Sequence, residues 1–251
     1  MVKAYVTYPI TSSWYQWMII VTSFFLAGLA FLYYHYIFMP DLSYLWTWYG
    51  APIMIVPVWI IYGTHELAFY LYTKYHGISY YYTISVPYLL FVVICIVYGS
   101  LSLTLYRLFG FDARLIVPTI FLPALAVRVA GYRQASEAEA HLLALLSSFI
   151  VTMIFVLWIE SLGGVDVVFS RILTERRAFI PHGAYGIALY GLLVCLTESI
   201  PLKVDGFAFD GYELFKSGNL GMIVTDTVIM FVTFYVLVFC GYLEWFMNPL
   251  T

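Results

Sequence analysis

Six long stretches of this chain are almost purely apolar: Trp14 to Phe38, Leu45 to Tyr72, Tyr81 to Tyr106, His141 to Leu162, Gly183 to Ile200 and Leu220 to Phe246. Crossing roughly 30 Å of hydrocarbon takes about 20 apolar residues as a helix, so each stretch has the length of a membrane span. Hydrocarbon offers the backbone no hydrogen-bond partner, and a helix satisfies its own N–H and C=O groups. The stretch Leu115 to Ala130 is also apolar, but it is short and interrupted by Pro118 and Pro123. It reads as a seventh short span, or as a re-entrant or strand-like segment shielded by protein. The expected architecture is therefore all-α: a polytopic transmembrane bundle of six to seven spans, forming one integral domain over residues 1–251 of a multi-pass cell-membrane protein.

Composition agrees. Hydrophobic residues make up 63% of the chain and charged ones only 10%, where a soluble domain carries about 25% charged residues. Too little polar surface remains to cover a globule in water, so the lipid bilayer is the first expected partner. Tyr and Trp crowd the span ends, as at Trp46, Trp48, Tyr49, Tyr80, Tyr81, Tyr82 and Trp245. Rings of this kind favour the headgroup level and mark boundaries. Only Lys3 precedes Tyr5, and the first apolar run is too long for a signal peptide, so it is expected to stay as a membrane helix. Lys and Arg divide almost evenly between the two sides under either six or seven spans, so the positive-inside rule does not orient the chain.

The net charge of −3 is small and unclustered, which argues against nucleic acid as a partner. Cys95, Cys195 and Cys240 stand alone in apolar runs, without the spacing of a zinc knuckle or a redox pair. Asn and Gln are limited to Gln16, Gln134, Asn219 and Asn248, a scarcity that fits a thermophilic source. Two polar stretches break the pattern. Within Gly131 to Ala140, Ser136 and Glu139 form a capping box that starts the helix carrying His141. Gly163 to His182 holds Arg171, Arg176 and Arg177 and reads as a solvated loop.

Charges at membrane depth cost a few kcal/mol each at the bilayer centre, so they face the bundle interior and mark function. Here they are His65, Glu66, His141, Glu198, Asp210 and Asp226, with Glu160 and Glu244 nearer span ends. His65-Glu66-Leu67-Ala68-Phe69 is the most informative group. Zinc hydrolases place His-Glu-x-x-His on a helix because residues four apart share a face, where two imidazoles reach one ion and the Glu serves as base. Phe69 cannot ligate, and a His-Glu pair alone in an apolar run is more often a hydrogen-bonded core pair than half a metal site. His76 lies eleven residues beyond His65, or about 16 Å along a helix at 1.5 Å per residue, too far to share an ion. Glu137 and His141 are four apart, but the capping box already accounts for the acids there.

On these residues the chain resembles the site-2-type intramembrane metalloproteases. That family carries His-Glu-x-x-His on one core helix, and takes a third zinc ligand from the Asp of a Leu-Asp-Gly motif that follows an Asn and a Pro. Here Ile200-Pro201 is followed by Phe207-Ala208-Phe209-Asp210-Gly211, with Phe209 in place of the Leu, so the resemblance implies Asp210 as a metal ligand. The first half aligns in two registers. In one, His65 is a ligand and Glu66 the catalytic base, with the second ligand lost to Phe69. In the other, Arg107-Leu108-Phe109-Gly110-Phe111-Asp112 is the exit of the motif helix, Ala113 to Gly131 is the strand-like stretch and Glu139 to Trp158 the next core span. That register puts Tyr98, Gly99 and Ser102 at the three motif positions and leaves no site. The likeness spans roughly residues 60 to 216. It departs from the family at Phe69, at Glu198 where the Asn is expected, and at Ser147-Ser148 in place of a Gly-Pro pair.

Zinc held for hydrolysis needs three protein ligands and an open position. With only His65 and Asp210 in the motif positions, the expectation is a non-catalytic relative acting as a scaffold or accessory subunit among other membrane subunits, with no cofactor. The set becomes complete, and the reading an active zinc protease, if His141 or Glu198 supplies a further ligand. A different class, a small anchoring subunit of a respiratory or transport complex, would hold haem or quinone among aromatic helices. Haem would take two of His35, His65, His76, His141 and His182.

Overall fold

The computed structural model describes residues 51–77, 81–84, 86–110, 130–133, 138–175, 179–204 and 207–242, with Trp14, Met18, Ile20, Val21, Thr22, Phe24, Phe25, Gly28 and Leu29 nearer the N-terminus. From Ala51 onward, the described residues form seven helices and two short ribbons in this order: α1 (Ala51–Tyr75), β1 (Tyr81–Ile84), α2 (Val86–Phe109), β2 (Ala130–Arg133), α3 (Ala138–Ser161), α4 (Val165–Glu175), α5 (Phe179–Glu198), β3 (Lys203–Val204), β4 (Phe207–Ala208), α6 (Asp210–Lys216) and α7 (Leu220–Phe239). The body is helical, as composition requires. Among the described residues three helices are long and apolar enough to cross a membrane: α3, α5 from Ile180, and α7.

Helix α5 is the axis. It packs on α1, α3, α4 and α7, and nearly all of its side chains are buried, including Tyr185, Ala188, Leu189, Tyr190, Leu192, Leu193 and Cys195. An all-round apolar sequence makes this placement possible, since such a helix has no wet face to present. Its neighbours bury one stripe only. On α3, Ile150, Ile154 and Leu157 point outward, and on α7 so do Val224, Val228, Phe231 and Tyr235. Rows of exposed large apolar groups at helical spacing are what lipid covers and water does not. The contact between α3 and α5 is closest at Gly191, where a Cβ would run into the Thr152 side chain. Only a residue without a side chain allows the two helices to approach this far.

Residues near the N-terminus lie against α1. Trp59 Nε1 donates to the Phe24 carbonyl at 3.0 Å, and the Phe24 ring stacks on Tyr62 with centroids 4.5 Å apart. The remainder of the Trp14 to Phe38 stretch, and the Leu115 to Val129 stretch, lie outside the described residues, as do Ser136 and Glu137.

Two expectations are corrected. The stretch from Tyr81 does not enter its helix at once: Tyr81–Ile84 pairs antiparallel with Ala130–Arg133, Tyr81 opposite Arg133 and Ile84 opposite Ala130, and the helix begins at Val86. Aromatic and β-branched residues fit a pleated surface, so the tyrosines that mark a boundary also make a strand. Nor is Gly163 to His182 a solvated loop. Val165–Glu175 is helical and buries Val165, Val168, Phe169 and Ile172, a stripe spaced three and four apart, while Asp166 and Arg171 stay exposed. Helix α5 then starts at Phe179, and His182 is buried.

Candidate functional site

Three helices deliver side chains to one point beside α5. His65 and Glu66 sit in the middle of α1, one helical turn before Phe69, and all three are buried. His141 lies in the first turn of α3. Asp210 opens α6, directly after the β3–β4 ribbon, and is fully buried. The ribbon returns the chain on itself, with Phe209 N donating to Leu202 O at 3.1 Å, and this sets Asp210 back against the end of α5.

The Asp210 carboxylate receives both imidazoles. His141 Nδ1 lies 2.7 Å from Oδ1 and His65 Nε2 lies 3.4 Å from Oδ2, so each ring takes one oxygen. When Asp210 is ionised its carboxylate only accepts, and the shorter contact is then an Nδ1–H donated by His141. A buried carboxylate is costly unless paired and hydrogen-bonded, and here the pairing comes from helices far apart in sequence. The backbone N–H of Asp210 points to Glu198 Oε2 at 3.4 Å, which ties the start of α6 to the last residue of α5. Gly211 presses on the same corner, where a Cβ would strike the Ser199 carbonyl. A side chain after Asp210 would push the carboxylate off its partners.

Phe69 lies on α1 four residues after His65. Its ring packs edge-on to His141 with centroids 5.2 Å apart, over Ala140 and Ala144. The benzyl group therefore serves as a wall for an imidazole supplied by another helix. One turn on, Tyr72 OH donates to Glu139 Oε2 at 3.2 Å, a second tie between α1 and α3.

Sequence reasoning brought His65, Glu66 and Asp210 forward together, and α1 and α6 do bring His65 and Asp210 into contact. The histidine that meets Asp210 from this part of the chain stands on α1. His141, which with Glu198 was the residue that could complete the set, is brought to Asp210. Its position just inside a long apolar span was the available signal, since a histidine there must find a polar partner. His76 stacks on Tyr72 at the exit of α1, away from the cluster, and His35 lies outside the described residues. Asp226 is buried on α7, facing Ser199, and Glu198 reaches Asp210 through its backbone.

Two imidazoles and a carboxylate are the donors that zinc prefers. Donors on one tetrahedral ion, each about 2.0–2.2 Å from it, stand roughly 3.3 Å apart. The His65–Asp210 separation of 3.4 Å has that value, whereas the 2.7 Å between His141 and Asp210 is a hydrogen bond. Among the described residues, no group of three His, Cys, Asp or Glu side chains is already spread to hold a metal. The donors thus fit in kind, and His141 would have to yield its proton and its short bond before an ion could enter. No family model, no curated protein and no solved structure matches this chain.

Proposed function

We propose that this is a multi-pass membrane protein of six to seven spans, related to the site-2-type intramembrane metalloproteases, whose metal tripod is rebuilt across three helices. His65, His141 and Asp210 are the ligands, and Glu66 is the general base. The observation that carries this reading is the meeting of His65 and His141 on opposite oxygens of Asp210. It supplies from α3 the ligand that Phe69 denies to α1. When bound, an ion in such a site lowers the pKa of a water and polarises a carbonyl. The protein's own part is to bury the site in a dry bundle, to hold the donors, and to accept a proton at the Glu66 carboxylate.

A second reading, a non-catalytic scaffold or accessory subunit, is supported by the 2.7 Å bond, which satisfies His141 and Asp210 without any ion. The experiment that separates them is elemental analysis of protein purified without chelator or added zinc. About one zinc per chain, lost with His141→Ala, supports the protease; less than about 0.1 per chain supports the inert relative. Cleavage of a membrane-spanning model peptide, abolished by Glu66→Gln with zinc retained, completes the test. His65 and His141 are not an opposed pair of haem ligands, because both converge on one carboxylate.

A further inference from the structure

The start of α6 is held at three consecutive residues by the end of α5 and the chain just beyond it. Phe209 N donates to Leu202 O at 3.1 Å, Asp210 N donates to Glu198 Oε2 at 3.4 Å, and Gly211 is pressed against the Ser199 carbonyl. The outer two are contacts with backbone atoms. The middle one depends on a side chain.

Phe209 stands at the N-cap of α6 and offers the first turn no side-chain hydrogen bond. Ser, Thr, Asp or Asn at that position would supply an acceptor from within the helix. Here the acceptor comes from α5, twelve residues before Asp210. Glu198 is 4% exposed, and Asp210 beside it is fully buried. A carboxyl group at such a place is costly to bury, and a position that asked only for packing would hold an apolar residue.

Both oxygens of Asp210 are in use, one 2.7 Å from His141 Nδ1 and the other 3.4 Å from His65 Nε2. An Asp side chain has two torsions, so the placing of its backbone largely places its oxygens. A backbone shift of about 1 Å would carry the shorter contact beyond the range of a hydrogen bond.

We propose that Glu198 is a positioning residue for Asp210. By accepting the N–H at the first residue of α6, its side chain sets the carboxylate so that His65 and His141 each meet one oxygen. What it supplies is reach and an acceptor oxygen rather than charge. The role holds for the His141–Asp210 bond with or without an ion, and its consequence for zinc rests on the protease reading.

Three substitutions separate these properties. Glu198→Gln keeps the length and an acceptor oxygen without the charge, Glu198→Asp keeps the charge on a shorter stem, and Glu198→Ala removes both. The readout is the proton of the His141–Asp210 hydrogen bond, observed by NMR in metal-free, full-length protein carrying isotope-labelled histidine. A proton in a short bond between imidazole and carboxyl resonates far downfield of the backbone amides, and its loss in His141→Ala assigns it. The resonance is expected in the unaltered protein and in Glu198→Gln, and should be lost in Glu198→Asp and Glu198→Ala. Gly191→Ala, a packing change elsewhere on α5, should keep it, which separates positioning from a general loss of stability. A resonance unmoved in the Asp and Ala variants, lost in Glu198→Gln, or missing from the unaltered protein overturns the proposal. Where the Asp or Ala variant does not fold, Glu198→Gln alone decides. Zinc affinity by chelator competition is the second readout, equal in Glu198→Gln and weaker by about tenfold or more in the other two. If the unaltered protein takes up no zinc, the protease reading fails while the resonance still decides the role of Glu198.

Discussion

His141 Nδ1 and Asp210 Oδ1 lie 2.7 Å apart across 69 residues of sequence, and the bond joins the first turn of α3 to the first residue of α6. His65 reaches the other oxygen of the same carboxylate. Asp210 is therefore the point on which α1, α3 and α6 depend together, and the functional predictions start there.

His141→Ala removes one proposed ligand. Zinc content should fall at least tenfold, because two remaining donors hold the ion poorly. His76→Ala, at a stacked position outside the cluster, should leave zinc content unchanged. Equal zinc in the two variants refutes a ligand role for His141.

Phe69→His puts an imidazole on the α1 face four residues after His65. Placed in the His141→Ala background, it should recover much of the lost zinc. Alone, it should lower the unfolding midpoint, since trading a buried phenyl for a polar ring costs roughly 1–3 kcal/mol. A double variant as empty as His141→Ala would show that position 69 does not look into the site.

Gly211→Ala should be more damaging than its size implies. The new methyl meets the Ser199 backbone carbonyl, which cannot swing aside. Overpacking of this kind costs roughly 1–3 kcal/mol, and here it also shifts Asp210. Both the thermal midpoint and the zinc content should drop, and a fall in neither would contradict the packing described.

Gly191→Ala and Gly183→Ala form a matched pair on α5. The first methyl collides with Thr152, while the second meets nothing within 4 Å. Gly191→Ala should lose about 1–3 kcal/mol, and Gly183→Ala should be neutral or gain up to about 1 kcal/mol from helix propensity. Thermal unfolding in one detergent reads the difference.

Phe231 on the outward face of α7 tests the membrane reading. An ion at mid-span costs about 2.5–3.5 kcal/mol on insertion scales. Phe231→Asp should therefore reduce membrane-integrated protein in a fractionation assay. Phe215→Asp, at an exposed position on α6 outside the long apolar helices, should not.

Much of this was legible in the sequence, for physical reasons. Apolar runs and the scarcity of charge give helices directly, because burial in lipid leaves the backbone no alternative. His65 and Asp210 could be paired because each sits in a short local pattern. His141 could not be assigned with them, since its local surroundings were already accounted for by a helix start, and nothing in the spacing ties position 141 to position 65. Helix α4 was hidden by Arg171, Arg176 and Arg177, which drew the reading to a loop; the stripe Val165, Val168, Phe169, Ile172 was the better guide. The tyrosines at 81 and 82 served two readings at once, and pairing with a strand fifty residues later decided between them.

The donors of the cluster come from three helices made in the order α1, α3, α6. Until α6 emerges, His65 and His141 have no common acceptor, and no shorter product of this gene can assemble the trio. The carboxylate that joins the two rings is therefore the last of the three groups to be made.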